Sequence, residues 1–234
     1  MKPKRILIKL SGELLKGETE FGYDHEFIDA LCDELAKAHE TNPEIAIVVG
    51  GGNILRGHQI ESFGVDRATA DYMGMLATIM NGLLLQSVLE KKGLYTRVMS
   101  AIEVNRICEQ YIRRRAIRHL EKKRVVIFVG GTGNPFFTTD TAATLRAAEI
   151  GADIVIKGTK VDGIFTADPE KEMAQKLDQV SYLDCVKQGL RVMDLTAVTL
   201  SMDYSIPIVV LNLKERGNLL KFLKGEKIGS LISS

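Results

Sequence analysis

Six short apolar runs limit the folds open to this chain. Residues 6–10, 45–49, 96–99, 125–129, 154–156 and 208–211 are rich in Ile and Val and nearly continuous in apolar character. Runs of this kind suit strands covered on both faces. Longer segments with helical periodicity lie between them. In 24–39, Phe27, Ile28, Leu31 and Leu35 share one stripe, and 71–89 is crowded with Met, Leu and Ile. Segments 105–122 and 142–149 complete the helical set, the last one stopped by Gly151. Such alternation predicts an α/β fold, a three-layer α/β/α sandwich around a mainly parallel central sheet. The 234 residues show no repeat, low-complexity tract or Pro/Gly/Ser linker, so a single domain with two functional lobes is expected.

Ligands of such sheets gather beyond the carboxyl ends of the strands. Four of the runs end there in glycine: Ser11-Gly12 after the first, Gly50-Gly51-Gly52-Asn53 after the second, Gly130-Gly131-Thr132-Gly133 after the fourth and Gly158-Thr159 after the fifth. One glycine turn would mean little. Four converging on one edge, with Lys9 and Arg56 nearby, predict a phosphate site. The loop at 131–140 adds two aromatics, hydroxyls, an amide and Asp140 before a helical sequence. Glycine lets backbone N–H groups approach a phosphate, and a helix start favours negative charge. The aromatics and polar side chains point to a nucleotide rather than bare phosphate.

Other chemistries are disfavoured. There is no G-x-x-x-x-G-K-[ST] loop, no G-x-G-x-x-G after a strand, no G-x-S-x-G elbow and no His or Cys cluster with metal-ligand spacing. Cations, glycine loops and a few carboxylates suit phosphoryl transfer, where positioning and charge neutralisation dominate. An acceptor that is itself a phosphate or carboxylate needs no general base. A net charge of +1 gives no electrostatic reason to expect nucleic-acid binding. Cys32, Cys108 and Cys185 lack paired spacing and are expected as reduced core residues of a cytoplasmic protein. The N-terminus lacks the pattern of a signal peptide, and no window is expected to approach the ~20 apolar residues of a membrane span.

In these segments the chain resembles the bacterial uridylate (UMP) kinases of the amino acid kinase superfamily. The resemblance covers almost the whole sequence. It rests on Ile8-Lys9-Leu10-Ser11-Gly12-Glu13, Gly50-Gly51-Gly52-Asn53 with Arg56-Gly57, Asp71-Tyr72-Met73-Gly74-Met75-Leu76-Ala77, the 131–140 loop, Thr159-Lys160-Val161-Asp162-Gly163-Ile164-Phe165 with Thr166-Ala167-Asp168-Pro169, and Val192-Met193-Asp194-Leu195. The Asp71 segment and the 132–139 loop are the parts specific to uridylate kinases; the Thr159 segment is shared across the superfamily.

The resemblance implies transfer of the γ-phosphoryl group of ATP to UMP, giving UDP and ADP in pyrimidine nucleotide biosynthesis. Mg²⁺ would be carried by ATP, with no protein side chain as its ligand. Lys9, Leu10, Ser11, Gly12, Gly52, Arg56, Thr159, Phe165 and Asp168 would contact ATP. Gly51, Asp71, Thr132, Gly133, Asn134, Pro135, Phe136, Phe137, Thr138 and Thr139 would contact UMP, placing UMP mainly on the N-terminal part and ATP mainly on the C-terminal part. Lys9, Arg56, Asp140 and Asp194 are the candidate catalytic groups. Gly17, Glu18, Thr19, Glu20, Phe21 and Gly22 match in position a loop used for activation by GTP. A homohexamer inhibited by UTP is also implied.

Plainer readings stand beside these. Lys9 reads also as a surface lysine snorkelling from a strand end. Asp71, Asp140 and Asp194 each read also as a helix cap. Arg113, Arg114 and Arg115 read as a solvated helix face, Met73, Met75 and Met80 as core packing, and Asp162-Gly163 as a turn. Two alternative functions remain at this point: a sister kinase of the same fold acting on a carboxylate, carbamate or isoprenoid phosphate, and a nucleotide-binding regulator without turnover.

Overall fold

A computed structural model describes residues 3–41, 44–55, 62–166, 174–190 and 192–234. Eleven strands and eight helices are seen among them. The six apolar runs all form strands: β1 (Arg5–Leu10), β2 (Glu44–Val49), β3 (Thr96–Ser100), β5 (Val125–Val129), β6 (Ile154–Thr159) and β10 (Ile208–Asn212). The smaller strands are β4 (Glu109–Gln110), β7 (Ile164–Phe165), β8 (Lys176–Leu177), β9 (Gln179–Ser181) and β11 (Ser230–Ser233). Nine strands form one sheet in the order β4-β3-β5-β2-β1-β6-β10-β11-β9, and β7 pairs with β8 in a separate hairpin. Within the large sheet only the β10–β11 pairing is antiparallel.

The helices are α1 (Gly12–Leu15), α2 (His25–Thr41), α3 (Arg67–Lys91), α4 (Arg113–Glu121), α5 (Thr139–Ile150), α6 (Tyr182–Lys187), α7 (Leu195–Asp203) and α8 (Asn218–Leu223). Successive strand residues point to opposite faces. Ile6, Ile8 and Leu10 join a core with α2, α3 and α8. Leu7 joins a second core with α4, α5, α6 and α7. The result is the expected three-layer sandwich. All three cysteines are buried and free.

Chain order steps from β1 to β2 on one side, while β6 and then β10 lie on the other. The sheet therefore reverses direction at β1, where open α/β sheets bind ligands. The four strands that end in glycine, β5, β2, β1 and β6, are consecutive neighbours and parallel. Their glycine turns thus lie along one edge.

Three sequence expectations need correction. The helix expected over 105–122 begins only at Arg113, because Glu109 and Gln110 pair with Met99 and Ser100 as an edge strand. The helix expected from Asp71 begins at Arg67, capped by Asp66, whose side chain accepts from the Thr69 N–H at 3.1 Å. Of the three methionines expected in the core, Met75 is buried, but Met73 and Met80 are exposed, Met80 by 54%.

The expectation that no segment approaches a membrane span is also corrected. By length and composition α3 could cross a bilayer, with a mean hydropathy of 1.4 over its most apolar window. Its apolar character serves packing, since Ile79, Leu85 and Leu89 lie in the core against the sheet. At Gly82 the approach to the sheet is so close that a Cβ would fall 2.4 Å from Val129 Cγ1 and 3.3 Å from Val98 Cγ1. Gly82→Val is expected to lower stability by about 1–3 kcal/mol through overpacking, read as a lower urea midpoint.

Candidate active site

The centre of the site is assembled from β1, β6 and the start of α5. Lys9 and Lys157 are register partners on β1 and β6. Partners on adjacent parallel strands share a face, so both side chains rise on the α5 side of the sheet. Asp140, in the first turn of α5, meets them with one oxygen each: Oδ1 lies 2.8 Å from Lys9 Nζ and Oδ2 lies 3.0 Å from Lys157 Nζ. Lys157 also donates to the Val192 carbonyl. Lys9 is only 6% exposed, which rules out the snorkelling reading.

Burial works against the charge on Asp140, but the ammonium groups of Lys9 and Lys157 outweigh it and hold its carboxyl below the usual aspartate range. The carboxylate's contribution to stability is therefore complete above the ordinary value of 3.8 and is lost as pH falls through the lowered one. Burial pushes the Lys157 ammonium below the usual lysine range; Asp140 offsets part of this, and the charge on Lys9 adds to it.

The plainer reading of Asp194 holds. It caps α7, with Oδ1 accepting from the Ala197 N–H at 2.8 Å. It also accepts from the hydroxyls of Thr138 and Thr141, the latter at 2.9 Å. Asp140 is not the cap of α5. That role falls to Thr138, whose hydroxyl oxygen accepts from the Asp140 and Thr141 N–H groups at 3.0 and 3.4 Å. Asp194 thus holds the helix start that presents Asp140 to the lysines.

The glycine loops close around this centre. Ser11 caps α1, and a Cβ on Gly12 would fall 2.4 Å from the Gly52 nitrogen and 2.7 Å from Asn53 Oδ1, so the first two loops meet with no room for a side chain at position 12. A Cβ on Gly51 would lie 2.9 Å from the Gly74 carbonyl of α3. Leu10 is fully buried in the core, leaving its backbone for any contact with ligand.

Asp71 lies within α3 and is freed from capping. Its carboxylate takes the Arg67 Nε–H at 3.0 Å and the Phe136 N–H at 2.7 Å. That second bond ties α3 to the 131–140 loop. Phe136 has a positive φ of 73°, as do Gly131 and Gly133, and the loop is pinned internally by the Thr132 hydroxyl, which accepts from the Asn134 N–H. An open cleft of about 610 Å³ lies between these parts, lined by Gly51, Gly52, Asp71, Thr78, Phe137 and Thr139. Of the loop, Gly131, Phe137 and Thr139 line the cleft, whereas Thr132, Gly133, Asn134, Pro135, Phe136 and Thr138 do not.

On the other side, Thr159 ends β6, where its hydroxyl accepts from the Val161 N–H at 3.2 Å, and Phe165 lies half-buried in β7. Asp162 accepts from the Asn212 side chain at 2.9 Å, which anchors the turn there. Arg56 and Asp168 lie outside the described residues.

The 17–22 loop touches both sides of the site. Gly22 exchanges bonds with Asn53: its N–H donates to the Asn53 carbonyl at 2.7 Å, and its carbonyl accepts from Asn53 Nδ2 at 3.0 Å. The Gly17 carbonyl accepts from Lys160 at 3.2 Å, and Glu18 pairs with Lys214.

Two features escaped the sequence reading. Lys157 lies in a strand-like run, and only the β1–β6 register brings it beside Lys9. Asn81 is fully buried on α3, where its Nδ2 donates to the Gly50 carbonyl at 2.6 Å and to Asn53 Oδ1 at 2.7 Å. A lone Asn within an apolar helix was the available signal, since a buried amide requires partners.

The family model of the amino acid kinase family matches residues 4–212. The chain belongs to the amino acid kinase family. Among solved structures it is similar to the UMP kinase of Bacillus anthracis, with 40% identity over 100% of this chain and 97% of that one, at a TM-score of 0.97. It is also similar to the UMP kinase of Ureaplasma parvum, with 35% identity, both chains fully covered and a TM-score of 0.94. The uridylate kinase of Archaeoglobus fulgidus is 28% identical over 98% of this chain and 100% of that one, at a TM-score of 0.77.

Asp140→Ala would leave buried Lys9 and partly buried Lys157 without their shared counterion. Removing one partner of a buried ion pair costs about 3–5 kcal/mol. The expected outcome is a loss of that size in chemical denaturation.

Proposed function

We propose that this family member is a UMP kinase, transferring the γ-phosphoryl group of ATP to UMP to give UDP and ADP. The observation that carries the reading is the Lys9–Asp140–Lys157 arrangement at the sheet's switch point, flanked by glycine loops that admit phosphates. Full-length likeness to two UMP kinases supports uridylate as the acceptor. UMP occupies the cleft beside Asp71, whose carboxylate holds the ribose hydroxyls, while the 132–139 loop wraps the nucleotide. ATP lies toward Thr159, Phe165 and Asp168. This division assigns UMP to the N-terminal part of the chain and ATP mainly to the C-terminal part.

The acceptor phosphate is already ionised near neutral pH, so no side chain needs to remove a proton. The work left to the protein is alignment and charge neutralisation. Lys9 neutralises charge on the group in transfer, with Arg56 assisting. The Gly12, Gly51 and Gly52 backbone approaches phosphate oxygens, and Asp194 keeps the start of α5 in place.

Mg²⁺ enters on ATP. Both carboxylates at the centre are engaged, Asp140 by two ammonium groups and Asp194 by an N–H and two hydroxyls. The donor set therefore suits a cation held by the nucleotide phosphates, where it supplies charge neutralisation.

The same reading makes the enzyme a cytoplasmic homohexamer of pyrimidine nucleotide synthesis, inhibited by UTP and activated by GTP through the 17–22 loop. The bonds of that loop to Asn53 on one side and Lys160 on the other offer a route for the effector to reach both substrates. Exposed Tyr72, Leu76 and Met80 on α3 supply apolar surface suited to subunit contact.

The test is an assay with ATP and Mg²⁺ and, separately, UMP, CMP, dUMP, glutamate, aspartate and carbamate, with and without GTP. UDP formed from UMP is the expected result; transfer only to a carboxylate or carbamate would overturn it. Lys9→Ala is expected to lower kcat about 10²–10³-fold, the usual cost of one preorganised charge-stabilising donor. Its fold should persist because Asp140 keeps Lys157 as partner, which circular dichroism will show. Asp71→Asn should raise the KM for UMP far more than that for ATP; equal rises would assign Asp71 to structure alone.

A further inference from the structure

Lys157 is costly where it stands. Like charges directly opposite on neighbouring strands destabilise a sheet, and Lys157 is the register partner of Lys9. An apolar side chain of similar length would fill the same space without that penalty. The residues before it on β6, Ile154, Val155 and Ile156, are the apolar kind such a strand normally uses. Packing therefore does not account for a lysine here.

The ion pairs give a different account. Asp140 has two oxygens and divides them, one to each lysine, at 2.8 and 3.0 Å. Without Lys157, both oxygens would be available to Lys9, and a carboxylate given wholly to one ammonium cancels its charge. Lys157 also donates to the Val192 carbonyl, two residues before Asp194. One ammonium thereby links the α5 start to the segment that enters α7.

We propose that Lys157 is a positioning residue for phosphoryl transfer: it occupies one oxygen of Asp140, so that Lys9 keeps a net positive charge directed at the transferring group. The proposal rests on the kinase reading of this site. The groups facing Lys157 are Lys9 on β1, Asp140 on α5 and Asp194 at the start of α7, while β10 presents Val210 as its register partner. Because burial lowers the affinity of Lys157 for its proton, its charge is lost at a pH below the ordinary lysine value of 10.5. Activity should fall on that basic limb.

The experiment compares wild type, Lys157→Met and Lys157→Arg by UDP formation across pH, by thermal melting, and by NMR of the Lys9 ammonium group in nucleotide-free protein. Lys157→Met is expected to lower kcat about 10²-fold, as misplacement in an active site does, with KM for ATP and UMP little changed and the basic limb gone. Lys157→Arg should recover part of kcat, since it restores the charge. The Lys9 resonance should move in Lys157→Met. Unchanged kcat, or a basic limb that survives in Lys157→Met, would overturn the proposal. So would an unmoved Lys9 resonance in a folded variant, and this result can be read whichever acceptor the enzyme uses. Failure of the wild type to make UDP would instead sink the UMP kinase reading, while the NMR comparison still decides the coupling of the two lysines.

Discussion

One carboxylate shared between a buried lysine and a partly buried one is the interaction on which the rest of the site depends. Three charges removed from water survive only because each has a partner at hydrogen-bond distance. Asp140 must therefore stand at one definite height above β1 and β6, and the elements around it are arranged to hold it there. Thr138 caps the helix that carries it, and Asp194 grips Thr138 and Thr141 from the start of α7. The lysines rise from the centre of the sheet, where the backbone is tied on both sides by parallel neighbours.

The glycine loops solve a different problem, that of space. A Cβ on Gly12 would fall 2.4 Å from the Gly52 nitrogen, and one on Gly51 would fall 2.9 Å from the Gly74 carbonyl of α3. Backbone N–H groups of neighbouring loops can then crowd together at this edge. The loops need support from behind, and the Asn53–Asn81 amide pair supplies it within an otherwise apolar layer. Thr78 adds a second tie, accepting from the Gly130 N–H at 2.8 Å. One helix, α3, therefore anchors two of the four glycine turns and, through Asp71, the aromatic loop as well. Its apolar length reflects this position between sheet and site.

Much of the fold was legible in the chain. Residues 6–10 and 125–129 read as buried strands because the runs are short and end in glycine turns. The Gly151 stop appeared as read, with φ at +66°, a conformation that glycine adopts freely. Local pattern failed where a tertiary partner decided the outcome. Glu109 and Gln110 carry no strand signal of their own, and β3 recruits them as an edge. Asp71 resembled a cap until Asp66 proved better placed. Met80 looked like core because its helix is apolar on both sides, and hydrophobicity alone does not tell the face that meets the sheet from the one that does not.

The sequence by itself determined the layer architecture, the parallel sheet and the strand ends at which the glycine turns gather. All of these follow from short-range patterns: run length, periodicity and the conformational freedom of glycine. The tertiary structure alone decided which charges meet. Lys9, Asp140 and Lys157 are far apart in the chain and become one unit only through the parallel register of β1 with β6 and the capped start of α5. Pairing of buried charges depends on distances of about 3 Å, and no spacing along the chain encodes a distance that the packing of separate elements creates.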